Sequence, residues 1–216
     1  MSSENNLTQA LEDVRAAYRL LYAYQQRTLD TISLVIDQFT DRTFYQWANL
    51  LCAMPPARGT SPFGRWTWDF LPIYNTSFLF TKAGDASNHP QESDWLLEVK
   101  LGTDSGHAEF WGGNIEPSIA DLGDVAETRS SLSLIVWKCV ETFPKNSNWY
   151  NHVWYDHPWP TRDELEAGTP AVVADGKIRS FQVDAPLEEL HDRASVVHFT
   201  DSAKATFARL LGMDFG

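Results

Sequence analysis

Several features that would narrow the role of a chain at once are scarce here. Cysteine occurs twice in 216 residues, as Cys52 and Cys139, far apart and with no C-x-x-C partner, which excludes a disulfide-stapled miniprotein. Each has apolar neighbours, Leu50 and Leu51 or Val136 and Trp137, so both read as reduced core thiols and the expected location is the cytoplasm. No apolar run approaches the roughly 18 to 20 residues that cross a bilayer. The opening Met1-Ser-Ser-Glu-Asn-Asn6 carries an acid and no apolar stretch follows it, so neither a secretory signal nor a membrane partner is expected. Basic residues are few as well. Seventeen Lys and Arg stand against 29 Asp and Glu, and the net charge of -12 opposes nonspecific attraction to nucleic acid or anionic lipid.

What the chain does have is core material: 43% hydrophobic and 13% aromatic residues, enough for one compact domain over residues 1–216. Apolar positions at Leu7, Leu11, Val14, Tyr18, Leu21, Ile32, Val35 and Phe39 follow steps of four and three, interrupted only by Gln25 and Thr28, and predict a helix over residues 7–39. Such a helix is about 50 Å long, longer than a small domain is wide. Its stripe therefore crosses a whole sheet or protrudes, and a homodimer would cover it. Phe44, Trp47, Leu50 and Leu51 predict a second helix, stopped by Pro55-Pro56. Trp66, Trp68 and Phe70 alternate as on a strand.

Further strands are expected over residues 73–82, 94–101, 132–140 and 149–155, and a hairpin is expected at Asp175-Gly176. Thr161 with Glu164 marks a capping box for a short helix, and a last helix over residues 201–211 ends at Gly212. The sum is an α+β fold: long N-terminal helix and second helix on a mostly antiparallel sheet, with a short C-terminal helix.

Three clusters carry possible chemistry. Glu98-Val99-Lys100, with acids upstream at Asp85 and Asp94, resembles the signature of PD-(D/E)xK nucleases. The resemblance spans roughly residues 7–140 and implies a metal-dependent phosphodiesterase. Asp85 or Asp94 would join Glu98 on a divalent ion, Lys100 would activate water, and Glu12 would stand as the helical acid. The same strand has a plainer reading, with Trp95, Leu97, Val99 and Leu101 toward the core and Glu98 and Lys100 toward water.

His152, Asp156 and His157 gather potential zinc ligands, but an odd step of five sends the two imidazoles to opposite faces of a strand. The third cluster is aromatic. Of nine tryptophans, Trp149, Trp154 and Trp159 lie close together with Tyr150, Tyr155 and Asp156. They suit a partner hot spot or a stacking platform for a sugar or base, or else a satellite core under a loop.

With no catalytic spacing beyond Glu98 and Lys100, the expected function is protein binding: an inhibitor- or immunity-type module whose acidity neutralises a basic protein partner. The nuclease and a small-ligand binder built on residues 149–159 stand behind it. No cofactor is expected.

Overall fold

The computed structural model describes residues 2–52, 54–71, 73–85, 88–110 and 115–215, with side chains from residue 6 onward except those of 108–110; Trp111 lies outside the described residues. The long heptad stripe forms the expected helix, α1 (Ser2–Ile36). It closes early because Gln38 and Phe39 donate to the carbonyls of Val35 and Ile36, tightening the chain into a turn that buries Phe39.

The second predicted helix is instead an edge strand, β1 (Arg42–Asn49), paired antiparallel with β2 (Asn75–Lys82). A bulge at Tyr45 explains the misreading. Phe44 pairs with Phe80 and Trp47 with Phe78, so an extra residue puts side chains three apart on one face, the spacing of a helix. The Trp66, Trp68, Phe70 alternation is also corrected: Thr67–Phe70 is a turn of 3-10 helix, and Trp68 Nε1 donates to the Pro117 carbonyl at 2.8 Å.

The sheet continues through β3 (Trp95–Gly102), β4 (Ser131–Cys139), β5 (Ala171–Val173) and β6 (Ile178–Pro186) in the order β1-β2-β3-β4-β6-β5, antiparallel throughout. The Asp175-Gly176 hairpin forms, with Ala174, Asp175 and Gly176 all at positive φ. Between the strands lie α2 (Ser105–Phe110) and α3 (Arg162–Glu166), the latter with its Thr161–Glu164 capping box in place. The last helix, α4 (Arg193–Leu211), begins eight residues before its expected start. Its box is Asp192 with Ser195 rather than an acid or amide at the third position, so the usual pattern does not reveal it.

Strand alternation divides the core in two. On one face Phe78, Leu97, Val99, Leu134, Val136 and Phe181 pack beneath Ile32 and Val35 of α1 and Val196, Ala203 and Phe207 of α4. On the other, Leu79, Leu96, Ile135, Trp137 and Ile178 meet Trp149, Val153 and Trp154. Residues 149–155, expected as a strand, form a single π-helical turn at Tyr150–Trp154, in which Tyr155 donates to the Tyr150 carbonyl at 2.8 Å. The turn caps only one half of this second face.

Candidate functional site

Alternation along β3 places Leu96, Glu98, Lys100 and Gly102 on the second face, the one without long helices. The expectation that Glu98 meets water is overturned: it is fully buried. One oxygen accepts from Ser77 Oγ, the other from Trp137 Nε1 at 2.9 Å, and Trp159 Nε1 donates to both at 3.0 and 3.1 Å. A buried carboxylate is tolerable only when its lone pairs are filled in this way. Two of the tryptophans that make the sequence unusual are thus the donors that seat one acid.

The carboxylates of the nuclease reading are not brought together. Asp94 precedes β3, about 13 Å along the strand from Glu98, and approaches Lys82 at 3.9 Å. Asp85 lies in the turn after β2, and Glu12 is exposed on α1, which covers the opposite face. Among the described residues no group of three His, Cys, Asp or Glu side chains is placed to hold a metal ion. His152 Nδ1 instead accepts from the Asn148 amide at 3.2 Å, within the π-turn.

The aromatic cluster separates in the same way. Trp149 and Trp154 are core; Tyr150 stacks on Trp154 at 5.2 Å and on Tyr155 at 6.2 Å, and Tyr155 and Asp156 face outward. Only Trp159 reaches an opening. Its ring carries the Lys100 ammonium 4.1 Å from the centroid and forms one wall of a cleft of about 690 Å³.

That volume lies in the usual range for small-molecule sites, roughly 300 to 1,000 Å³. The floor is built by register: Lys100, Ser133 and Asp184 are paired in one row across three strands, and Asn75, Gly102, Ser131 and Pro186 in the next across four. A Cβ on Gly102 would stand 3.3 Å from Ser131 Oγ, so the glycine keeps the floor open. Leu50 and Leu51 supply apolar surface, and Asp104, Ser105 and Arg129 the rim.

The charges in this cleft are unequally satisfied. Asp184 accepts from Gln182 Nε2 at 2.7 Å, and Asp104 from the Gly106 amide at 2.9 Å. Neither cation is paired: among the described residues no carboxylate forms an ion pair with Lys100 or Arg129. Burial lowers the Lys100 pKa from its ordinary value, while the charges of Glu98 and Asp184 raise it. Asn75, only 6% exposed, leaves Nδ2 without a hydrogen-bond partner.

Of these residues the sequence singled out only Lys100 and Trp159. The floor had a signal that went unused: Ser131 and Ser133, Gln182 and Asp184 are polar pairs two apart, each in a strand whose alternate residues are apolar.

Fold and cleft together define a class, an α+β protein with a six-stranded antiparallel sheet that is helix-covered on one face and half open on the other. Within that class the chain belongs to the PM0109 family, whose model matches residues 4–209. It is similar to the protein named "Uncharacterized protein PM0109" of Pasteurella multocida (strain Pm70), at 23% identity over 224 residues, covering 97% of this chain and 98% of that one. No solved structure matches.

Proposed function

We propose that the protein is a cytoplasmic binder of a small organic anion, held in the cleft beside Trp159. The asymmetry of the cleft carries this reading. Its acids are already engaged by protein donors, whereas among the described residues Lys100, Arg129 and the Asn75 amide are left as donors without acceptors. A buried donor without a partner costs about 1 to 3 kcal/mol, a penalty that an incoming oxyanion would relieve. The ligand's carboxylate or phosphate head would sit against Lys100 and Asn75, diagonal neighbours on adjacent strands about 7 Å apart. Its body would lie on the Trp159 ring and against Leu50 and Leu51.

Titration of aromatic carboxylates and mononucleotides, followed by tryptophan fluorescence and calorimetry, tests the proposal. Binding of one of these anions is expected, with no binding of its neutral amide or nucleoside. Lys100→Met is expected to weaken it at least about tenfold, the scale of one charge-assisted hydrogen bond. Arg129→Ala, at an exposed position, checks the result where Lys100→Met perturbs folding. Failure of all these anions to bind, or affinity indifferent to both substitutions, would overturn it.

A second reading rests on the net charge of -12: an inhibitor- or immunity-type module that neutralises a basic protein. Acidity of that size would steer encounter with a cationic surface. Affinity for such a partner should fall steeply as salt rises, and salt-indifferent binding would count against it.

A further inference from the structure

Residues 6–23 of α1 are exposed at every position, a stretch of about 27 Å. The first anchors to the domain come just beyond it, where Tyr24 Oη meets Thr103 Oγ1 at 2.9 Å and Arg27 donates to the carbonyls of Leu190 and His191. A lone helix of this length is marginal in water. Yet this one carries an apolar seam of Leu7, Leu11, Val14, Tyr18 and Leu21, each at least 39% exposed. The seam is no isolated patch. Its steps of four and three continue without a change of phase into Thr28, Ile32 and Val35, which are buried in the domain. One heptad stripe is therefore covered over its second half and bare over its first.

We infer that the bare half pairs with the same segment of a second copy of this chain, antiparallel and about a two-fold axis near Val14. Two observations select this occupant. The first is charge order: Glu12 and Asp13 precede Val14, and Arg15 and Arg19 follow it. Antiparallel pairing sets Asp13 level with Arg15 of the second copy, whereas parallel pairing sets acid level with acid and base with base. The second is length. A crossing at Val14 sets Leu7 level with Leu21 of the second copy, so that the paired seams end just short of Tyr24, where the other domain begins. The overlap uses the whole protruding segment and leaves the two sheets at opposite ends. Ala10 and Ala17 flank the seam with small side chains, which permit close approach of the helices.

The experiment is sedimentation of the full chain, with disulfide trapping. A dimer is expected at micromolar concentration, and Val14→Glu should weaken it by at least about 100-fold, since two apolar contacts are lost by symmetry. Nine tryptophans lie outside α1, so unchanged fluorescence and an unchanged melt of the sheet would show that the variant still folds. Mixed Leu7→Cys and Leu21→Cys chains are expected to form the 7–21 disulfide on oxidation, with neither variant linking to itself. A monomer at all concentrations, which would leave the seam to a different protein, overturns the inference. So does a 7–7 disulfide or a dimer indifferent to Val14→Glu.

Discussion

Glu98 has both oxygens occupied, and this decides between its two sequence readings. As a metal ligand it would need a free lone pair facing a second carboxylate; as a solvent-facing strand residue it would need water. It has neither, because Ser77, Trp137 and Trp159 fill it from three sides. Replacement by Gln puts an amide N–H2 against at least one indole N–H, and a loss of about 2 to 3 kcal/mol is expected in urea unfolding. Lys100, two residues on, is a half-buried cation on the same face of β3. Its ammonium is held below the ordinary value by burial, so affinity for an anion should decline on raising the pH earlier than a solvated lysine would allow. The thiols of Cys52 and Cys139 are both pushed up to about 11 by burial. They should react with thiol reagents only on unfolding. Since the unfolded thiols ionise near the ordinary 9.0, their contribution to stability is intact below that value and falls as pH rises through it. At this scale the sequence marked Glu98, Lys100 and Trp159 but not the contacts that join them. Burial of the Glu98 face of β3 depends on residues 149–159, far away in the chain.

Local periodicity identified the elements wherever one rule acted alone. The stripe of α1, the apolar β4 and the Asp175-Gly176 hairpin each follow a single pattern, and all three formed. The failures fall where a second effect altered the spacing. The Tyr45 bulge lent β1 a helical step, and the π-turn at Tyr150–Trp154 gave aromatic residues the look of a strand. Asp192 and Ser195 began α4 with an unusual box. One junction has little tolerance. Gly106, at the start of α2 beside the rim of the cleft, lies so close to the Leu122 carbonyl that a Cβ would collide with it. Gly106→Ala should therefore lower stability by about 1 to 3 kcal/mol, seen as a shifted denaturation midpoint with unchanged slope.

The whole molecule divides into parts of very different expected durability. Amides of residues 95–99 of β3 and 134–139 of β4, central in the sheet and held between the two cores, should be the slowest to exchange with solvent. Those of residues 6–23 should exchange fast in dilute solution and slow down as concentration rises, which hydrogen-exchange mass spectrometry at two concentrations would read directly. The α+β architecture follows from composition and patterning, but the cleft does not, because it arises from a cover that stops halfway across the second face. Trp159 stands at that boundary, with its indole nitrogen bound to Glu98 inside and its ring under Lys100 outside. A guest pressing on that ring leans on the hinge pin of the sheet's interior. Occupancy would then be felt as a stiffening of the sheet's centre, well away from the guest itself.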